Sequence, residues 1–169
     1  MKRAILAILG ASLLGFWGSA FGEPFETFRG IPWGADKKEV SGLIAGPQKE
    51  GVEVFTRNEK QKVGDIEVES IFYLFYKGKF GAAMITFQGK PRFSAIQDAL
   101  RQKYGPGKKP DPSREKYLWD SEDLKITLSF SPDKDSGSVD YFFQPIVEQR
   151  KKDQTEAGER TIQKRMDDL

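Results

Sequence analysis

The chain of 169 residues contains neither cysteine nor histidine. Without cysteine it can form no disulfide, has no thiol nucleophile and cannot carry a lipid on a cysteine side chain. Without histidine it cannot use Ser-His or Cys-His catalysis, and it lacks the usual zinc ligands. A glycine-rich phosphate loop is also missing, because Gly78, Gly81 and Gly89 do not have the required spacing. We therefore predict no catalytic residue, no metal site and no cofactor, and a protein that is not an enzyme.

Long apolar runs are scarce, and the one that exists lies at the N-terminus. Lys2 and Arg3 precede an almost uninterrupted apolar run over residues 4–16, and small residues follow up to Gly22. This order is typical of a secretory signal peptide, and the run is shorter than the roughly 20 residues that span a bilayer. We predict a signal peptide at residues 1–22, cleaved near residues 20–22. The mature protein would then be periplasmic or secreted and would have no membrane anchor; an uncleaved N-terminal anchor is the alternative.

Charge of one sign is not in excess once this segment is removed. Loss of Lys2 and Arg3 reduces the 27 basic residues to 25, which equals the 25 acidic residues. Binding to nucleic acid needs a clustered positive excess, and electrostatic binding to an anionic membrane also needs basic residues in excess. The composition therefore predicts no nucleic-acid partner and no electrostatic membrane binding.

Helical spacing occurs in two places before residue 145. The first predicted helix has Asp36 as N-cap, Glu39 three residues later, apolar residues over 40–44 and a stop at Gly46. The second predicted helix has Ser94 as cap, ends at Gly105-Pro106 and carries its apolar residues at Phe93, Ile96, Leu100 and Tyr104.

Alternating apolar residues and turn signals predict strands at 52–57, 66–76, 79–88, 116–120, 124–130 and 139–143. The fold class is therefore α+β, with an antiparallel sheet and short helices on one face. The order of the elements raises the further hypothesis of two tandem helix-plus-three-strand repeats. Residues 23–145 would form one such domain.

Residues 146–169 have a different composition from the rest of the chain. Six basic and six acidic residues dominate this segment, and only Ile162, Met166 and Leu169 form a thin apolar stripe near its end. We predict a polar, charged C-terminal helix or tail. It is either a solvated tail or a helix that forms with a partner.

The predicted hairpin around Lys77 is apolar on both faces. Every residue over 71–76 is apolar or aromatic, and alternation places Phe72, Leu74 and Tyr76 on one face. In the partner strand, alternation places Phe80 on the same face as Ala82. A sheet with one solvated face would show polar residues there. Either the protein covers both faces itself, with its N-terminal lead-in or C-terminal helix, or one face binds a ligand, a second subunit or another protein. Phe72, Leu74 and Tyr76 are therefore the candidate binding residues.

Acidic residues offer the remaining route to chemistry. Asp133, Asp135, Gly137 and Asp140 are similar to a calcium loop, but glycine and glutamate are not where an EF-hand needs them. The composition of this segment favours an ordinary turn between strands. A hydrolase that uses two carboxylates stays open, because the sequence does not show which carboxylates are close in space.

Two short segments carry a resemblance to known proteins. Residues 28–34 are Phe-Arg-Gly-Ile-Pro-Trp-Gly, and residues 100–105 are Leu-Arg-Gln-Lys-Tyr-Gly, ahead of the predicted strand with Trp119. Over about residues 25–143, the chain resembles small exported bacterial proteins of uncharacterised function that open with Gly-Ile-x-Trp-Gly. This resemblance implies no catalytic residues.

The order of helix and strands is also similar to that of β-lactamase-inhibitor proteins and of the small lipoprotein subunit of the outer-membrane barrel-assembly machinery. Both resemblances imply tandem α/β repeats and binding to proteins. Because it has no cysteine, this chain cannot be anchored like that lipoprotein. We predict an exported protein-binding module whose partner is another envelope protein or a second copy of itself. The alternative is a small periplasmic carrier of an apolar ligand.

Overall fold

The computed structural model describes residues 25–167, so the predicted signal peptide at residues 1–22 lies outside the described part. The strands are β1 (Thr27–Phe28), β2 (Ile31–Pro32), β3 (Leu43–Lys49), β4 (Val52–Arg57), β5 (Lys62–Val63), β6 (Ile66–Glu67), β7 (Ser70–Tyr76), β8 (Lys79–Gln88), β9 (Lys116–Asp120), β10 (Leu124–Ser131) and β11 (Ser136–Phe143). The α-helices of the described residues are α1 (Lys90–Tyr104) and α2 (Gln144–Asp167).

Seven strands form one antiparallel sheet in the order β3-β4-β7-β8-β11-β10-β9. The other strands form two short ribbons, β1-β2 and β5-β6. The α+β class and the antiparallel sheet are thus confirmed. Within residues 25–167, no helix has the length and the hydropathy that crossing a membrane would require.

One face of the sheet carries the hydrophobic core. The helix α1 lies against it and buries Phe93, Ile96 and Leu100, which recur at helical spacing. Among the described residues, no polar or charged side chain is buried to the same degree as these. The core is therefore held together by apolar contact, which a chain without disulfides requires.

The N-terminal lead-in completes this core. Phe28 and Ile31 of the β1-β2 ribbon are buried, and the Trp33 ring stacks on the Phe80 ring with 4.7 Å between the ring centres. Backbone hydrogen bonds link Gly34 N–H to the Phe80 carbonyl (2.8 Å) and Phe80 N–H to the Ala35 carbonyl (2.9 Å). The extended lead-in thus packs on the core side of β8.

The first predicted helix is wrong. A single 3-10 turn occupies Lys37–Glu39, and β3 follows as an edge strand paired with β4. Asp36 does cap this turn, because its side chain accepts a hydrogen bond from the Lys38 N–H. Gly42 has a φ of +73°, which a right-handed helix cannot contain. The chain turns at Gly42, and the residues after it obtain their hydrogen bonds from β4 instead.

The helix α1 begins earlier than the sequence predicts. Its N-cap is Gly89 and a proline occupies its first turn, so Ser94 lies inside the helix and does not cap it. Proline is well suited to that position because the first backbone N–H groups of a helix have no partner within it.

A register shift in the β7–β8 pair corrects the predicted faces of β8. Leu74 pairs with Ala82, but Phe75 pairs with Phe80, so Gly81 is the extra residue. Phe80 is therefore buried in the core instead of sharing a face with Ala82. A glycine inside a strand is the sequence signal for such a bulge.

The tandem-repeat hypothesis is not confirmed. In the second half, α1 precedes β9, β10 and β11, whereas from residue 25 onwards no α-helix precedes the strands of the first half. The helices also do not share a face. The helix α1 contributes side chains to the core. The helix α2 has no buried residue and instead lines a groove with Leu74, Ala82 and Phe142. These three residues alternate with core residues along their strands, so α2 lies on the other face.

Candidate functional site

The face of the sheet opposite the core is called the outer face here, and its side chains alternate with the buried ones. In β7 the candidate binding residues Phe72, Leu74 and Tyr76 alternate with three fully buried residues and are themselves half-buried. All three lie on the outer face. The hairpin is apolar on both faces because one face packs in the core and the other is partly covered by α2.

The strand register sets the neighbours of these residues. Phe72 lies beside Met84, and the same row continues through Asp140, Thr127 and Leu118. The next row contains Val54, Leu74, Ala82, Phe142 and Lys125. The outer face is therefore apolar over β4, β7 and β8 and becomes polar towards β10.

The first turns of α2 lie over the apolar part of this face and leave a groove of about 270 Å³. We call this the α2 groove; its lining residues are Val52, Leu74, Phe75, Tyr76, Gly81, Ala82, Phe142, Ile146, Val147, Arg150, Lys151 and Gln154. Gly81 allows the close approach, because a Cβ atom there would lie 2.4 Å from Cγ2 of Ile146. The bulge in β8 thus also creates the seat for the helix.

Polar contacts hold α2 at one end of the groove. Tyr76 donates a hydrogen bond to Asp153 (2.8 Å), and Nζ of Lys77 lies 2.7 Å from the same carboxylate oxygen. Arg150 pairs with Glu50 at 2.8 Å. Beyond Asp153, every described residue of the helix is exposed, so residues 154–167 form a segment that projects from the domain.

We expect the contact between α2 and the β7–β8 turn to loosen at acidic pH. Hydrogen bonds from Lys77 and Tyr76 lower the pKa of Asp153 to about 2 from its usual 3.8. Because the folded-state pKa is lowered, the stabilisation is complete above the unfolded-state pKa and is lost as the pH falls from about 4 through about 2. Hydrogen-exchange protection factors of the α2 amides around Asp153 should therefore decrease over that interval.

The variant Asp153→Asn is the control for this prediction. An amide of the same size accepts a hydrogen bond but does not titrate, so its protection factors should be lower at neutral pH and nearly constant over the same interval. An equal acid-induced decrease in both proteins would show that another group is responsible.

Asp140 is the carboxylate in the middle of the outer face. Oγ of Ser138 donates a hydrogen bond to it at 2.8 Å, and its register neighbours are Met84 and Thr127. Partial burial raises the pKa of Asp140, although the Ser138 hydrogen bond opposes this shift. Within residues 25–167, no group of three or more potential metal ligands is present. The middle of the outer face thus combines the carboxylate of Asp140 with apolar side chains such as Met84.

A cluster on the core side ties the lead-in to the sheet. Tyr73 donates a hydrogen bond to Glu59, whose carboxylate also lies 3.3 Å from Nε of Arg29 and 3.6 Å from a guanidinium nitrogen of Arg57. Burial and the Glu59 hydrogen bond raise the pKa of Tyr73 to about 12, so this phenol stays protonated at neutral pH. These residues hold the fold together and do not open onto the outer face.

A second cleft, of about 460 Å³, lies between the lead-in and the turn after β9. Aromatic rings of Phe25, Trp33 and Phe143 line it together with Glu26 and the short segment 121–123. Its carboxylates are exposed side chains, so the cleft holds no charged group in a fixed position.

Several residues that line the α2 groove are missing from the candidates that the sequence predicts. Phe142 could have been included, because its alternation with Val139 and Tyr141 places it on the outer face. Ile146 and Val147 follow directly after the sheet and read as the start of a polar tail. Their role depends on the direction in which α2 leaves β11, which has no sequence signature.

Comparison of the chain with protein-family profiles, with curated proteins and with solved structures found no match. The resemblances drawn from short motifs therefore stay predictions.

Proposed function

We propose that the protein is an exported, non-enzymatic module that binds another envelope protein, or a second copy of itself, through the outer face of its sheet. The observation that carries this proposal is the apolar part of that face, which α2 covers only in part. Phe142 is 38% exposed at its border in β11, in the same row as the half-buried Leu74 and Ala82. Apolar side chains that stay partly accessible on one face of a sheet are a feature of binding surfaces.

The edges of the sheet are less suitable for a partner than its face. The outermost strand β3 contains Pro47 and an irregular register between Ala45 and Gln48, which disfavour pairing with an added strand. At the other edge, Lys108 exchanges two backbone hydrogen bonds of 2.8 Å with Leu118 of β9. Partner binding by strand addition is therefore disfavoured at both edges.

We expect Phe72→Asp and Phe142→Asp to abolish capture of the partner. Each change places a charge within the apolar part or at its border, where burial against a partner would require its desolvation. Immobilised protein would be incubated with envelope extract, and bound proteins would then be cross-linked to it mildly. The captured proteins would be quantified by mass spectrometry. Sedimentation of the same variants would measure self-association.

The matched control is Ile162→Asp, because Ile162 is 59% exposed but lies in the part of α2 that projects from the domain, away from the outer face. One stoichiometric partner, or a dimer, that is lost in both phenylalanine variants and retained in Ile162→Asp supports the proposal. Retention in all three variants, with the fold intact by circular dichroism, contradicts it.

A second candidate function is carriage of a small apolar ligand, and the α2 groove favours it. Seven apolar side chains from β4, β7, β8, β11 and α2, besides Tyr76, converge there around a partly open space of about 270 Å³. Ligand sites in proteins are concave and mostly apolar, with a small number of polar groups that fix orientation.

A further inference from the structure

Charge in the α2 groove has one sign. Arg150 and Lys151 are its only charged lining residues among those described, and no carboxylate lines it. Asp153 is nearby but is engaged by Tyr76 and Lys77. A ligand that lies in this groove therefore meets an apolar surface and a cationic end.

The two kinds of surface follow one another along α2. Arg150 and Lys151 come four residues after Ile146 and Val147, respectively, and residues at this spacing lie on the same side of a helix. The apolar contact and the cations are thus arranged in sequence along one helix face. This arrangement matches a molecule with an apolar chain and an anionic head.

The guanidinium of Arg150 has unused hydrogen-bonding capacity. One terminal nitrogen binds Glu50, whereas Nε is shielded from solvent and has no acceptor among the described residues. A buried donor without an acceptor is destabilising, and a carboxylate head would supply the missing acceptor once the guanidinium turns towards the groove. Lys151 is exposed beside it and adds a second positive charge.

We propose that the α2 groove binds a single-chain fatty acid, with its acyl chain against Leu74, Ala82 and Phe142 and its carboxylate on Arg150 and Lys151. The volume of about 270 Å³ lies just below the usual range of ligand sites, which fits one chain and not two. This inference rests on the second candidate function, the carriage of an apolar ligand.

The test is isothermal titration of the protein, expressed as the full chain, with dodecanoate and with dodecanol, both below the concentration at which they aggregate. We expect dodecanoate to bind the wild-type protein more tightly than dodecanol. In the double variant Arg150→Met/Lys151→Met, dodecanoate binding should weaken at least about tenfold, while dodecanol binding stays unchanged, since only the charged hydrogen bonds are lost.

Two further variants separate the roles of charge, ion pair and space. Glu50→Gln removes the partner of Arg150 without removing either cation, so dodecanoate binding should be retained or strengthened. Ala82→Phe fills the groove and should abolish binding of both ligands.

Each outcome decides a different point. Equal binding of the two ligands, or dodecanoate binding that survives the double methionine variant, overturns the fatty-acid proposal and leaves the carrier function standing. Binding that survives Ala82→Phe places the ligand elsewhere and overturns the proposal for this groove. Absence of binding for both ligands contradicts the carrier function as well.

Discussion

Replacing Phe80 by alanine is expected to lower the free energy of unfolding by about 3–5 kcal/mol, the range for large aromatic side chains deleted from a core. The Phe80 side chain has no exposed surface. Its ring stacks on Trp33 and lies 5.3 Å from the ring of Phe75 and 6.0 Å from that of Tyr73. The deletion therefore leaves a cavity at the point where the lead-in, β7 and β8 meet, and the rigid rings around it cannot close it.

Urea unfolding followed by far-ultraviolet circular dichroism would measure this loss, and Phe142→Ala is the matched control. Phe142 is 38% exposed on the outer face, so the same deletion there should cost only about 1–2 kcal/mol. Equal losses at the two positions would contradict the assignment of the core to the other face.

The variant Gly137→Ala is expected to lower the free energy of unfolding by about 1–3 kcal/mol, as overpacking does. A Cβ atom at this position in β11 would lie 2.4 Å from Cζ of Phe87 and 2.5 Å from the backbone oxygen of Ser129. Phe87 is fully buried and Ser129 belongs to the paired strand β10, so neither can move aside without disturbing the sheet. Urea unfolding curves would again measure the change.

Gly158→Ala is the same chemical change, but here we expect no loss in the free energy of unfolding. Apart from its chain neighbours and the adjacent helix backbone, no atom of residues 25–167 lies within 4 Å of the position of a Cβ at Gly158, in the exposed half of α2. Alanine favours a helix over glycine by up to about 1 kcal/mol. The helical signal should therefore increase with no loss of global stability; a destabilised protein would show that residues 154–167 pack against something.

The sheet was predictable because its strands follow simple alternation. The alternating residues of β10 give its buried face, and the predicted bounds of β8 and β9 agree with the structure. Alternation fails where an extra residue enters a strand, as Gly81 does, because the residues on either side of it then exchange faces. Phe80 was placed on the wrong face for this reason.

The first predicted helix failed for a different reason. Apolar spacing over residues 40–44 fits a helix, but Gly42 adopts a left-handed conformation and β4 supplies pairing partners for Leu43 and Ile44. Ten residues of weak helical preference do not outweigh the hydrogen bonds that an adjacent strand offers. Such competition is invisible in a local window of sequence.

The candidate site was predictable in its strand residues and not in its helix. Alternation puts Phe72, Leu74 and Tyr76 on one face without any knowledge of tertiary structure. That the helix covers part of this face depends on the seat at Gly81 and on the contact of Tyr76 with Asp153, residues far apart in the chain. Pairwise contacts of this kind have no signal in a single sequence.

We expect the pairing of β8 with β11 to limit how quickly the chain reaches this structure. Each strand also belongs to a local hairpin, β8 with β7 and β11 with β10, and hairpins of this kind form within about microseconds. The central pairing instead brings Gln88 next to Ser136 and Ala82 next to Phe142, across the whole segment that contains α1. Closing that loop carries the largest entropic cost of the topology, as expected for folds of high contact order. In a chain without cysteine, no disulfide holds the two hairpins close while they search for this register.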